Sequence, residues 1–265
     1  MRIAVFQGPR GARGKAAVIA RLDTAAEEAA AQGARLLVAP EMILSGYNIG
    51  RDAALAAAED PDGPSARAIS DIARRHGIAI AYGYPERGAG DTVYNAAQVI
   101  ERDGTRLANH RKCHLFGALD RSMFVAGEAL APLFALDGVR VGMLICYDVE
   151  FPEAVRGLAL AGADLVLVPT ALMRPFDVVA EKLVPTRAFE NQIFLVYANR
   201  CDVEGELAYA GLSVVAGPDG ADLARAGRDE TLLIADLDLA ALAASRAANP
   251  YLADRRPALY RTEAR

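Results

Sequence analysis

Gln32-Gly33-Ala34-Arg35-Leu36-Leu37-Val38-Ala39-Pro40-Glu41 and Ala161-Gly162-Ala163-Asp164-Leu165-Val166-Leu167-Val168-Pro169-Thr170 are variants of one pattern. In each, a glycine closes a helical stretch, a short apolar run follows, and a proline ends the run. Each pattern completes a strand–helix–strand unit, the first starting at Ile3 and the second at Val141. Two such units predict two similar sheets. No linker-like stretch lies between them, so a single domain over 1–265 is expected.

Around these units strand-like and helix-like stretches alternate with short connections, as in an α/β chain. Ile3 to Gln7 reads as a strand, Lys15 to Gln32 as a helix and Leu36 to Ala39 as the next strand. Pro64 to His76 is a helix stopped by Gly77, and Ile78 to Tyr82 returns as strand. Val93 to Ile100 joins a following strand through Asp103-Gly104, a hairpin signal. After Cys146 come a helix to Ala161, a strand Leu165 to Val168, a helix Val178 to Asn191 and a strand Ile193 to Tyr197. Strands Leu212 to Ala216 and Leu232 to Leu237 follow, separated by the turn Pro218-Asp219-Gly220. A short helix and an irregular tail, Asn249 to Arg265, end the chain.

Apolar residues make up 53% of the 265, enough for a large core. Lys plus Arg is 29 against Asp plus Glu 34, a formal net charge of −5. That balance argues against nucleic acid or an anionic membrane surface as the main partner. No uncharged apolar run approaches the ~18 residues of a membrane span, and the N-terminus reads as a strand and not a signal peptide. The three cysteines, Cys113, Cys146 and Cys201, have no paired spacing. A reducing, cytoplasmic compartment fits them.

Three residues carry chemical interest. Cys146 ends the apolar run Val141-Gly142-Met143-Leu144-Ile145 and precedes Pro152-Glu153, which reads as the first turn of a helix. A thiol on such a turn lies near backbone N–H groups that stabilise a developing anion; a structural buried cysteine is the competing reading. Glu41 sits in the apolar setting Val38-Ala39-Pro40-Glu41-Met42-Ile43-Leu44, where burial would raise its pKa toward that of a general base. A salt-bridged strand-end glutamate is the alternative. Lys112 lies in His110-Arg111-Lys112-Cys113-His114-Leu115, a basic cluster of the kind that is usually just a solvated turn. His110, Cys113 and His114 hint at metal ligation, but no second Cys/His group completes a tetrahedral set, so neither metal nor other cofactor is expected. Gly8-Pro9-Arg10-Gly11-Ala12-Arg13-Gly14-Lys15 mimics a phosphate-binding loop. Its glycine spacing is wrong and Ala16 replaces the required hydroxyl, so a surface loop is expected.

Taken in order, Pro40-Glu41, Arg111-Lys112-Cys113-His114-Leu115-Phe116, and Cys146-Tyr147-Asp148 with Phe151-Pro152-Glu153 resemble the nitrilase, or carbon–nitrogen hydrolase, superfamily. Ser45-Gly46-Tyr47, Tyr94-Asn95, Arg187-Ala188-Phe189-Glu190-Asn191 and Arg255-Arg256-Pro257 extend the resemblance over nearly the whole chain. The amidase-type branch, with its R-stereoselective amidases, is the one most resembled. Nitrile-cleaving relatives typically have Trp-Glu after the cysteine, whereas this chain has Tyr147-Asp148 and no tryptophan.

The resemblance implies a four-layer α-β-β-α sandwich, with the site where strand ends of both sheets meet. It implies Glu41 as general base, Lys112 and the backbone N–H of Tyr147 as oxyanion partners, and Cys146 as nucleophile toward a small-molecule amide. The family's further glutamate, eight residues after the lysine, corresponds here to Asp120, with Glu128 the other candidate. Substrate-binding candidates are Tyr47, Phe116, Glu150, Thr170 and Ala171, on loops around Tyr47, Phe116 to Phe124 and Ala171 to Phe176. The resemblance also implies a homodimer or higher homo-oligomer, with residues 249–265 packing at its interface. The competing functions are a nitrilase or ω-amidase of the same superfamily and a catalytically silent scaffold. A Cys–His hydrolase with His114 as base is the competing mechanism.

Overall fold

The computed structural model describes residues 1–12 and 14–260. β1 (Arg2–Gln7) leads into α1 (Lys15–Ala31) and β2 (Leu36–Val38). After α2 (Arg51–Ala57), α3 (Pro64–His76) returns the chain to β3 (Ala79–Arg87), followed by β4 (Val93–Ile100) and β5 (Arg106–Arg111). α4 (Gly117–Met123) and β6 (Phe134–Leu136) precede β7 (Val139–Met143), α5 (Pro152–Ala161), β8 (Leu165–Thr170), α6 (Val184–Asn191) and β9 (Phe194–Asn199). The hairpin of β10 (Val203–Glu204) and β11 (Leu207–Ala208) comes next. β12 (Val214–Ala216), β13 (Asp222–Arg225), β14 (Thr231–Asp236), α7 (Leu239–Ala248) and α8 (Tyr251–Asp254) follow.

The two large sheets have the orders β14-β1-β2-β3-β4-β5 and β6-β7-β8-β9-β12-β13, which correspond strand for strand. In each, three central strands run parallel and the flanking strands antiparallel. The period of two along each strand divides its side chains between two layers. Ile3, Val5, Leu36 and Val38 face Val141, Leu165, Leu167 and Val196 across the gap between the sheets. Ala4, Phe6 and Leu37 turn outward to α1 and α3, and Val166, Val168 and Leu195 turn outward to α5 and α6. Strands covered on both faces must be apolar throughout, which explains the uninterrupted runs in the sequence. Truncating one facing side chain, Leu165→Ala for instance, costs about 2–5 kcal/mol. The result is the α-β-β-α sandwich.

Four local expectations need correction. The helix expected from Val178 to Asn191 begins as a wide π turn, Val179–Leu183, before α6. Pro185 has no N–H to give and crowds the preceding turn, and the widened turn takes up that misfit. The turn at Pro218-Asp219-Gly220 joins β12 to β13, a partly exposed strand that the sequence reading omits. The strand expected at Leu232 to Leu237 is β14, and it pairs with β1 in the opposite sheet. Phe116 to Phe124, expected as a loop, contains α4, whose N-terminal N–H at Phe116 is taken by Asp120 at 2.8 Å. Tyr251 packs on Phe189 of α6; residues 261–265 of the expected tail and Arg13 of the glycine-rich loop lie outside the described residues. Among the described residues no helix is long and apolar enough to cross a membrane.

Candidate active site

Glu41 follows β2 at the edge of the gap between the sheets. Its backbone N–H reaches the carbonyl of Thr170 at the end of β8, at 3.4 Å. Pro40 closes against β3 through the N–H of Gly83. A Cβ at Gly83 would lie 2.4 Å from the Met42 nitrogen and 2.7 Å from the Glu41 Cα, so only glycine lets Glu41 approach this closely. The Glu41 side chain is fully buried. Its Oε1 accepts from Asn95 Nδ2 at 2.6 Å and from Lys112 Nζ at 2.8 Å, while Oε2 has no hydrogen-bond partner. Burial raises its pKa, and the nearby Asp120 charge adds to this against the opposing pull of Lys112.

Lys112 follows β5, the edge strand of the same sheet. Its N–H bonds the Asn95 carbonyl and its carbonyl accepts from Gly127, both at 2.8 Å. The ammonium group is fully buried, 2.8 Å from Glu41 Oε1 and 2.8 Å from Asp120 Oδ2. It lies 5.6 Å from the centre of the Tyr47 ring. Burial opposes its charge, but Glu41, Tyr47 and Asp120 together hold its pKa well above the ordinary lysine value. One ammonium cannot neutralise two carboxylates, and Glu41 is the acid pushed upward. Asp120 therefore reaches Lys112 despite its shorter side chain. Glu128 is exposed on the surface, beside Tyr94 and Arg111.

Cys146 begins a 3₁₀ turn, Cys146–Glu150, three residues beyond the end of β7, and has a left-handed φ of 46°. Such a φ at a non-glycine residue is strained and must be imposed by its surroundings. Asp148 imposes it here. Its Oδ2 accepts from the Ile145 N–H at 3.0 Å and pairs with His110 Nε2 at 3.1 Å. Its Oδ1 takes the N–H groups of Cys113 (3.2 Å) and His114 (2.8 Å) and pairs with His114 Nδ1 at 2.8 Å. One buried carboxylate thus ties the cysteine turn of one sheet to the segment just after Lys112 in the other. Burial would raise the Asp148 pKa, but the bonds from His110 and His114 outweigh it and hold the group well below its ordinary value.

The thiol is buried, and burial first and Glu41 second push its pKa far above the ordinary value; Lys112, the Thr170 hydroxyl and the Ala171 N–H pull the other way. The resting thiol is therefore neutral and needs a base. His114 is not placed for that task, because its Nδ1 is committed to Asp148 and its ring is stacked on Phe151 at 3.9 Å.

Thr170 and Ala171 thus lie beside the sulfur, and the Thr170 hydroxyl is buried without a nitrogen or oxygen partner. Tyr47 is buried beneath Lys112, deeper than a loop residue would be. Phe116 meets Tyr147 and Phe176 edge-on at 5.3 and 5.8 Å, and Tyr147 meets Phe151 at 5.0 Å, forming an aromatic wall. Glu150 is half-buried; Arg187 takes its backbone carbonyl, at 2.9 Å. Burial raises the Glu150 pKa, against Lys112 and Arg187. Asn95 and Asp148 received no role from the sequence, although the signal for both was present. Asn95 is a polar residue within the strand Val93–Ile100, and Asp148 lies two residues after the cysteine. Among the described residues no group of three or more His, Cys, Asp or Glu is placed to hold a metal ion. A cavity of about 670 Å³ lies between residues 9–12 and Gly14, Ile43 to Gly46 and Arg200 to Gly205, and none of Glu41, Lys112 and Cys146 lines it. The buried cluster of Glu41, Lys112 and Cys146 lies apart from that cavity.

The carbon-nitrogen hydrolase family model matches residues 2–247. A protein described as hydrolase in pqqF 5′ region, from Pseudomonas protegens, is 54% identical over 98% of this chain and 90% of its own. An (R)-stereoselective amidase of Pseudomonas sp is 38% identical over 83% of this chain and 79% of its own. A 2-oxoglutaramate amidase of Bacillus subtilis is 32% identical over 86% and 87%. Among solved structures, a cysteine-to-alanine mutant of the Nesterenkonia AN1 amidase from the nitrilase superfamily superposes with a TM-score of 0.85, at 36% identity over 98% of this chain and 95% of that one. Matched along nearly its whole length in sequence and in fold, the chain belongs to the carbon-nitrogen hydrolase family of the nitrilase superfamily, enzymes that act on non-peptide C–N bonds.

Proposed function

We propose that this enzyme is an amidase that hydrolyses a small carboxamide to carboxylic acid and ammonia through a thioester on Cys146. The observation that carries the reading is the division of labour on Glu41. One oxygen is held by Lys112 and Asn95, the other is buried with no partner, and the carboxylate lies near enough to the Cys146 thiol to push its pKa up.

Glu41 takes the thiol proton as the sulfur attacks the carbonyl carbon. The oxyanion is received by the Lys112 ammonium and the N–H of Tyr147, and Asp120 keeps Lys112 in place. As the intermediate collapses the C–N bond breaks, and Glu41 passes the proton to the leaving nitrogen. Glu41 next deprotonates a water, which attacks the thioester; the acid leaves and the sulfur is reprotonated.

The nitrilase reading lacks the Trp-Glu pair, and a silent scaffold would have no reason to keep Glu41, Lys112 and Cys146 together. The Nesterenkonia amidase was captured with acrylamide added to its active-site cysteine, in a variant with one glutamate changed to glutamine, which supports a cysteine nucleophile here. The half-buried, acidic Glu150 beside an aromatic wall favours neutral or amine-bearing amides over ω-amides, the alternative that the 2-oxoglutaramate amidase keeps open.

Ammonia release over a panel of carboxamides tests the activity. Turnover by the wild type and none by Cys146→Ala is expected; no turnover of any amide would overturn the reading. We place the enzyme in the cytoplasm as a homo-oligomer. Leu160, Val178, Leu259 and Tyr260, all exposed here, are apolar and lie on α5, before α6 and in the tail. Light scattering at micromolar concentration is expected to give at least a dimer.

A further inference from the structure

We propose that Glu204, on the β10–β11 hairpin, is a positioning residue of the catalytic site. It holds the turn between Glu41 and Tyr47 against Lys112. The proposal rests on the amidase reading for its effect on turnover, but the clamp itself stands on geometry.

The turn from Glu41 to Asn48 has two anchored ends. At the first, Gly83 and Thr170 hold the backbone of Pro40 and Glu41. At the second, Glu204 Oε2 accepts from the N–H groups of Tyr47 (3.0 Å) and Asn48 (2.8 Å), and its Oε1 also meets the Tyr47 N–H at 3.2 Å. Consecutive backbone N–H groups converging on one carboxylate form an anion nest. Gly46, at φ 89°, makes the nest possible, because a Cβ there would lie 2.8 Å from Glu204 Oε1 and 2.9 Å from Ile49. The Asn48 side chain returns a bond to the Glu204 carbonyl at 3.3 Å.

The carboxylate is itself fixed from behind. Arg200 Nη2 and the Tyr209 hydroxyl each donate to it at 2.6 Å, and Arg200 also pairs with Asp202. The Tyr209 ring then meets Tyr47 edge-on at 6.4 Å. Tyr47, held by both its backbone and its ring, lies 5.6 Å from the Lys112 ammonium. A surface hairpin in one sheet's territory therefore sets the wall against which the oxyanion-binding lysine of the other is packed. Displacing that wall by ~1 Å would act mainly on kcat.

The test is a double-mutant cycle on ammonia release, with Glu204→Gln and Tyr47→Ala singly and combined, and amide hydrogen exchange of Tyr47 and Asn48 measured in parallel. Glu204→Gln is expected to lower kcat about tenfold with KM changed less than about threefold. In the Tyr47→Ala background the same change should cost less than about twofold. Exchange at Tyr47 and Asn48 should accelerate at least about tenfold while that of the α1 core stays unchanged. Tyr209→Phe, which removes one 2.6 Å bond, keeps the test alive if Glu204→Gln does not fold, and is expected to show a smaller loss with the same coupling. Losses that multiply independently, or exchange that does not change, would overturn the clamp. If the wild type hydrolyses no amide, the amidase reading falls and the exchange measurement alone decides the clamp.

Discussion

The first unit, β1-α1-β2, and the second, β7-α5-β8, have the same path and the same place in their sheets, yet they end differently. β2 runs out at Pro40-Glu41 and β8 at Pro169-Thr170, and the two ends meet backbone to backbone. One end delivers a buried carboxyl, the other a hydroxyl beside the sulfur. The turns after β1 and β7 differ more. After β1 comes a glycine-rich loop beside the large cavity; after β7 comes Cys146, held at positive φ by Asp148. The repeated backbone brings strand ends together, and the side chains placed on those ends decide which half supplies the proposed base and which the proposed nucleophile. Neither half is a site alone.

Removing the Lys112 ammonium, the counter-ion that the first half supplies to both Glu41 and Asp120, comes first among the expected effects. Lys112→Ala should lower kcat by at least ~10²–10³ through the missing oxyanion partner. It should also cost about 3–5 kcal/mol of stability, because two buried carboxylates lose their counter-ion. Steady-state kinetics and urea unfolding check both, and a loss confined to KM would mean that Lys112 only binds substrate.

Asp148→Asn comes next and tests the tie between the halves. A folded-state pKa held below the ordinary value stabilises the protein above the ordinary Asp range. That contribution is lost as the pH falls through the folded value. The variant should unfold about 2–4 kcal/mol more easily at pH 7, with the gap to wild type closing as the solution is acidified. A gap that stays constant with pH would contradict the tie.

The smallest effect is expected at Glu150, the acid near the aromatic wall. Glu150→Gln should cut the kcat/KM preference for an amino-acid amide such as prolinamide over an ω-amide by roughly fivefold, solvent screening included. If the wild type prefers the ω-amide, the charge argument is wrong.

Much of this was legible in the sequence because each signal was local. The echo at Gly33 and Gly162 marked the doubled unit, and apolar runs closed by proline marked the strand ends bearing Glu41 and Thr170. What was not legible depended on contacts distant along the chain. The strand at Asp222–Arg225 is too polar to announce itself, since it is an edge strand with exposed residues. The sheet of Leu232 to Leu237 is set by its pairing with Arg2–Gln7, which no local pattern reveals. Asp148 was visible as a motif residue, but four of its five bonds come from the distant stretch His110 to His114. Choosing Asp120 over Glu128 likewise needed the position of the Lys112 ammonium.

The central claim is that Glu41, from the first half, acts only through Cys146, from the second. Ammonia release by the wild type, Glu41→Gln, Cys146→Ala and the double variant tests it most directly. Each single variant is expected to lose at least ~10³-fold in kcat, and the double variant to be no slower than the slower single. A double variant in which the two losses multiply, or near-normal turnover in either single variant, would contradict it.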